Sequence, residues 1–466
     1  MDRLSVDIDV LRKEAFQSEF GRNPKVPKTA AGIRALAARL RITQEGAAPG
    51  GDPHNFCGEL EIGRLMAALQ NPDVEESVIE EVDATVGAGV PTLPKTYLEG
   101  HFLIRYTDAD INPEHNTTLE KVKQLAGILN GIWNDYTANF KEPKSYLTTS
   151  GKRLIDIKIF AIPGKPVGGR TASSWNHIDI HSRITMDDEL RLRTVPAHEM
   201  FHRVQYAFGM KSGTASHPST LDWASEGTAS WVQKHREPII GDYIKAVNAG
   251  LRDPDKALFS REYDAAPFWL YLGQRAGDEK RFIYWVWQRY FTNGKDMVKA
   301  VRDTIKSQIG AAATLESLVS EWSFTNFVKD MTNASALFDY TDDEYKSGAG
   351  FGPLSSVPRT TKSLVKGAAA SLQYGAVSFF GTDYFVYNLT GKPRRVEIKV
   401  TGLGAFGYAI LLYKGNQFVD YERTFAGGFQ NKTFDKTIDP SKVDRVCLMV
   451  TGNPAGGSYT IDARAK

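Results

Sequence analysis

The sequence predicts an α+β protein in which a small sheet with helices precedes an all-β sandwich. Between about residues 97 and 340, strand-like runs come first and helix-like runs follow, as in folds that segregate the two. After residue 371 the texture changes to short alternating runs divided by glycine and polar turns. About six to eight strands in about 100 residues is the signature of a small β-sandwich. The expected organisation is a mainly helical segment at 1–95, an α+β domain at 96–345, a linker at 346–370 and the sandwich at 371–466.

In the first segment, TAAGIRALAARLRI spaces Ile33, Leu36 and Leu40 as one helix face. ELEIGRLMAALQ and PDVEESVIEEVDATV read as two more helices. The segment is either a propeptide-like cover or the first part of the main domain. GHFLIRYT is the first strand of the α+β domain, with Phe102, Ile104 and Tyr106 on one face. A long amphipathic helix follows, built on Val122, Leu125, Leu129, Ile132 and Trp133, with Thr118 as its N-cap. RLIDIKIFAI is the second strand, GKPVGGRTASS a glycine-rich loop, and WNHIDIHSRI a third strand through Ile178 and Ile180. Helices are then expected at VPAHEMFHRVQY, LDWASEGTASWVQKH, AAPFWLYLGQRAG, EKRFIYWVWQRYF, GKDMVKAVRDTIKSQI and TLESLVSEWSFTNFVKDM. The sandwich strands are SLQYGAVSFF, DYFVYNLT, RRVEIKVTG, GYAILLYKG, RVCLMVTG and GSYTIDARA.

A chain of 466 residues is too long for one core. Hydrophobic residues make up 42% and charged residues 24%, which argues against disorder. The net charge of +2, without a long basic tract, gives nucleic-acid binding little support. No run of about 20 apolar residues predicts a membrane span. The acidic start, MDRLSVDIDVLRKEAF, is unlike a secretory signal, so export by that route is not expected unless a signal was removed. Two cysteines, Cys57 and Cys447, make no scaffold; one long-range bridge or two separate buried thiols are both open.

The chemistry lies in VPAHEMFHRVQY. Positions i and i+4 share a helix face, so His198 and His202 can offer imidazole nitrogens to a single zinc. Glu199, beside the first, can reach a water without ligating. A catalytic zinc takes three protein ligands. No HxxGxxH continuation follows His202, but Glu226 lies 24 residues on, in DWASEGTASW. It sits among Trp223, Ala224, Gly227, Ala229 and Trp231, where an unpaired carboxylate is costly. A site of two histidines and one glutamate is therefore expected. His177 and His181 share a strand face; they line a cleft, add a second metal, or are simply exposed.

HExxH with a downstream glutamate in W-x-x-E-G-x-A resembles the gluzincin class of zinc metallopeptidases. Within it the chain is similar to bacterial secreted enzymes of the immune-inhibitor-like and hyicolysin-like kind and to zinc aminopeptidases. The resemblance covers about residues 97–340; that part would be a zincin-like domain, and the C-terminal part resembles pre-peptidase C-terminal or other accessory β-sandwiches. It implies a secreted zinc endopeptidase acting on proteins or peptides. His198, His202 and Glu226 would be ligands, Glu199 the general base, and WNHIDIHS the edge strand beside the substrate. Tyr263 would stabilise the oxyanion, with Tyr271 and Tyr206 as rivals. The sandwich would touch a substrate, surface or polymer. Two departures stand out: Ser230 occupies the place of the aspartate that supports the first histidine in thermolysin-like enzymes, and no G-x-M-E-N stretch is present. Two other readings remain: a non-catalytic binding or structural protein on this scaffold, and a zinc hydrolase of non-peptide substrates.

Overall fold

The computed structural model describes residues 91–466, except residues 114, 149–150, 163–167, 172–175, 211–220, 237–243, 330, 334–355 and 358. The expectations for the N-terminal helices and Cys57 lie outside the described residues. The chain is α+β and packs as two compact units, residues 1–243 with 290–295, and residues 244–289 with 296–466. Among the described residues no helix is long and apolar enough to cross a membrane.

The first unit is built on a mixed sheet. Strands β1 (Lys95–Glu99) and β2 (Phe102–Tyr106) form a hairpin across Gly100, whose φ of +55° suits a tight turn. Helix α1 (Leu119–Asn139) crosses from β2 to the parallel strand β4 (Arg153–Phe160), and the short β3 (Tyr146–Leu147) pairs with β4 from the other direction. Thr118 caps α1 by accepting from the Lys121 N–H at 3.2 Å, as its sequence position implied. β5 (Gly169–Thr171) and β6 (His177–His181) complete the order β1-β2-β4-β6-β5. One face carries Ile104, Ile157 and Ile178 in a row, with Phe102 beside Ile155 and Ile159 beside Ile180, all fully buried. The periodicity in the sequence fixes which side of each strand meets the core.

Two expectations are corrected here. The glycine-rich stretch is not all loop: Gly169–Thr171 is a strand, and it is the sheet edge. The strand of WNHIDIHS is therefore an inner one, paired parallel to β4 and antiparallel to β5. Glycine is required in β5 by close packing: a Cβ at Gly169 would stand 2.8 Å from Cγ of Glu199 and 2.9 Å from Val195. After β6 come α2 (Ser182–Asp187), α3 (Arg191–Ala207) and α4 (Asp222–Arg236).

The second unit joins helices to the β-rich part. Helices α5 (Ile244–Arg252), α6 (Ala266–Ala276), α7 (Glu279–Thr292, whose last turn belongs to the first unit), α8 (Met297–Gln308) and α9 (Leu315–Val328) precede its sheet. The sheet comprises β7 (Thr360–Val365), β8 (Ser371–Val377), β9 (Thr382–Thr390), β10 (Arg395–Lys414), β11 (Gln417–Thr437) and β12 (Arg445–Ala465). RRVEIKVTG and GYAILLYKG are thus one bent strand, as are RVCLMVTG and GSYTIDARA, while β7 lies in the stretch expected to be linker. β12 pairs with β9 through Arg445–Thr451 and with β8 through Gly457–Ala463, so it serves two halves of the sheet. The halves meet over one core, in which Val396, Ile398 and Val400 join Ile410, Leu412, Leu448 and Val450. At the bend the chains come so close that a Cβ at Gly404 would stand 2.4 Å from the Gly456 carbonyl oxygen.

The outer face of one half is also buried. Leu411, Cys447 and Val386 form a row on that face, as do Ala409, Met449 and Tyr384. Helix α9 covers it: Phe327 stacks on Tyr384 at 5.4 Å, and the Tyr384 hydroxyl donates to the Ser323 carbonyl at 2.7 Å. The other side of α9 meets α6 through Trp322 and Phe268, 5.3 Å apart. Apolar surface on both sides of α9 ties the sheet to the helices, so the β-rich part is not a free-standing module. Cys447 is a fully buried thiol that burial pushes far above its ordinary pKa.

Leu411→Ala is expected to destabilise the second unit by about 2–5 kcal/mol, as much as Leu448→Ala in the sandwich core. Urea unfolding followed by tryptophan fluorescence measures both. A cost for Leu411→Ala within about 0.5 kcal/mol of zero, the usual surface value, would mean that α9 does not cover that face.

Candidate metal centre

Helices α3 and α4 run antiparallel in the first unit, with Gln233 opposite His198, and Ser225 and Thr228 opposite Gln205. Nearly every residue of α3 is buried, which explains its weak amphipathicity: it fills the interior between the sheet, α1 and α4. The Tyr136 hydroxyl of α1 donates to the Ala197 carbonyl at 2.9 Å, pinning the backbone beside His198. Arg203 Nε donates to the Lys144 carbonyl at 2.8 Å and holds the next turn. On α4, Trp223 and Trp231 are buried on either side of Glu226, which is itself 0% exposed.

The structure brings His198, His202 and Glu226 together. Each offers one ligand atom, and these atoms all lie within 4.8 Å of one another. The two Nε2 atoms are 3.0 Å apart, and Oε2 of Glu226 lies 3.1 Å from Nε2 of His198 and 3.7 Å from Nε2 of His202. Four-coordinate ligands about 2.0–2.1 Å from one ion are separated by about 3.3 Å, which these distances bracket.

The hydrogen-bond arrangement points to a cation. Nδ1 of His202 donates to Oε1 of Gln205 at 2.8 Å, and Nδ1 of His198 donates to Oε1 of Gln233 at 2.9 Å. The Gln205 orientation is fixed by its other end, since Nε2 donates to the Ser225 carbonyl at 2.9 Å and to Thr228 Oγ1 at 3.1 Å. Neutral rings with hydrogen on Nδ1 turn two bare Nε2 lone pairs toward each other and toward a carboxylate. Three electron-rich atoms so close repel unless a positive charge sits among them. Oε1 of Glu226 is also buried and has no hydrogen-bond partner among the described residues. Burial pushes the Glu226 carboxyl up, whereas protonated His202 and His198 beside it would pull it below the usual range. Two imidazoles and a carboxylate suit zinc, so the group can hold a metal ion.

Glu199 is 2% exposed on α3, with its Cγ under the glycine backbone of β5. Of the three tyrosines, Tyr206 shares the unit of the cluster, its ring stacked 6.4 Å from that of His202. Tyr263 opens a 3-10 turn, Tyr263–Ala265, in the second unit and is 8% exposed. Tyr271 is in the second unit as well, its hydroxyl donating to Glu321 at 3.0 Å. His177 and His181 belong to no metal-binding group among the described residues and are half-buried rather than exposed. Burial pushes both down to about 4, against a weaker opposing pull from Asp179 on His177.

Gln205 and Gln233 are the site residues that sequence reasoning missed. Their spacings carry a signal: Gln205 is three residues after His202, and Gln233 seven after Glu226, each on the ligand's own helix face. Ser230 is buried on α4, and it is Gln233 that accepts from the first histidine.

No family model matches the chain, and no curated protein is significantly similar to it. Among solved structures, the pre-peptidase C-terminal domain of collagenase from Bacillus anthracis is similar at 13% identity and a TM-score of 0.18, over 24% of this chain and 100% of that one. The Yersinia pseudotuberculosis-derived mitogen matches at 17% identity and 0.16, over 21% of this chain and 86% of that one. PliG of Aeromonas hydrophila, a periplasmic inhibitor of g-type lysozyme, matches at 7% and 0.16, over 23% and 100%. Likeness at these TM-scores carries no functional argument.

Two outcomes are expected. Zinc added to the metal-free chain binds at about one ion per chain; Glu226→Ala and His202→Ala lose or greatly weaken it, as measured by elemental analysis after dialysis. Stoichiometric zinc in both variants would place the ion elsewhere. Separately, the thermal stability of the first unit falls as pH drops from about 6.5 toward 4, because unfolded histidines take up protons that buried His177 and His181 refuse. The His177→Gln, His181→Gln double variant has a shallower slope in that window; an unchanged slope contradicts the assignment.

Proposed function

We propose that the chain is a zinc-dependent endopeptidase. The observation that carries this reading is the buried convergence of His198, His202 and Glu226 with a glutamate, Glu199, directly after the first histidine on the same helix. Zinc held by these three residues would supply Lewis acidity toward a scissile carbonyl and a lowered pKa for water.

The chain's own residues would do the rest. Glu199 accepts the proton of the attacking water at its carboxylate and passes it to the departing amine nitrogen. A ligand does not need such a base, so Glu199 favours catalysis over a site that only binds metal. Glu226 contributes the negative charge that a divalent ion needs in a buried site. Gly169 lets the sheet edge approach Glu199 without a side chain between them.

The test is Glu199→Gln. Zinc binding is expected to be retained, while hydrolysis of quenched fluorescent peptides falls by about 10²–10⁴-fold. Turnover that survives the substitution removes Glu199 from the reaction. Wild-type protein that binds zinc yet cleaves esters and no peptides would indicate a zinc hydrolase of other substrates. Zinc without turnover on either class would indicate a binding scaffold.

A further inference from the structure

We propose that Gln205 and Gln233 are positioning residues that set the tautomer of both histidines and the register of the two ligand-bearing helices before any ion binds. The proposal rests on the metal reading above and adds to it a supporting shell made of neutral amides.

Gln205 makes three bonds with one side chain. Its Oε1 takes the Nδ1 hydrogen of His202, and its Nε2 reaches across to the Ser225 carbonyl and to Thr228 Oγ1. Thr228 in turn donates to the Ala224 carbonyl at 2.7 Å, so the amide cannot turn over without leaving a buried partner unmatched. Ser225 and Thr228 flank Glu226, so the amide that orients the second histidine also fixes the turn of α4 that presents the third ligand. Gln233 completes the arrangement in the opposite sense: it belongs to α4 and orients the histidine of α3. Each helix thus holds the site on the other.

The chemistry of the shell differs from one built on carboxylates. A carboxylate partner raises the basicity of a ligating imidazole and adds negative charge. Two amides fix geometry and tautomer without charge, leaving Glu226 as the one anionic member of the ligand set. Gln205→Glu cannot donate to Ser225 and Thr228, and it aims an anionic oxygen at a carbonyl.

The experiment measures zinc affinity by competition with a chromogenic chelator in the full chain, with thermal unfolding alongside. Gln205→Met and Gln233→Ala are expected to bind zinc about 10–100-fold more weakly. Gln205→Glu, which cannot donate to Ser225 and Thr228, is expected to bind zinc more weakly. In the metal-free protein, ¹⁵N NMR of the imidazoles is expected to show His198 and His202 as the Nδ1–H tautomer, with His202 becoming a mixture in Gln205→Met. A role in folding alone would not move that signal. If Gln205→Met fails to fold, Thr228→Val removes one anchor of the amide and is expected to weaken zinc several-fold. Wild-type affinity in the folded variants, or an unmixed His202 tautomer in Gln205→Met, overturns the proposal. Wild-type protein that takes up no zinc overturns the metal reading beneath it.

Discussion

Two imidazole nitrogens 3.0 Å apart, buried beside a carboxylate, impose a condition on everything around them. Such a group is expensive away from water, and its members repel unless a positive charge joins them. The fold must therefore hold the three atoms together without help from solvent. It does so by anchoring the backbone from several directions: Tyr136 holds the Ala197 carbonyl, Arg203 holds Lys144, and Gln205 bridges to the turn that carries Glu226. None of these partners is itself a candidate ligand. Together they make the cluster part of the interior rather than a feature of the surface.

The same condition reaches the sheet. Helices α2 and α3 pack so closely under the edge that there is no room for side chains at Gly169 in β5 or at Gly168 just before it; a Cβ at Gly168 would stand 2.7 Å from both Ile184 and Val195. A glycine in a strand ordinarily weakens it. Here it permits the approach that puts backbone, instead of a side chain, against Glu199. The composition that made this stretch read as a loop is the composition that close packing demands.

What could be read in the sequence was whatever depends on one element at a time. The spacing of His198 and His202 needs only helical geometry, and the helix is there. Glu226 stood out because tryptophan and alanine neighbours made an exposed position hard to accept, and it is fully buried. The faces of β2, β4 and β6 followed from alternation. What escaped depends on two elements meeting. β5 is three residues long and has no pattern of its own; its place comes from pairing with β6. The run CLMV in β12 does not alternate because α9 covers the face that a free sandwich would leave wet. Gln205 and Gln233 fall on the correct faces, but glutamine on a helix is common, and only the antiparallel packing of α3 and α4 turns it into a partner for histidine.

Gln233 shows how a residue two turns along the helix from Glu226 can orient the first histidine. Residues four and seven after Glu226 point within about 40° of its own direction, so either can face the first histidine. The nearer one, at the height of Ser230, suits a short side chain, whereas the farther one lies about 10 Å along the axis from Glu226 and needs a long one. Glutamine has that length, and its amide oxygen accepts from Nδ1 as a carboxylate would, but without charge. Serine at the near position therefore does not leave the histidine unsupported. In this chain the side chain that reaches His198 is long and neutral.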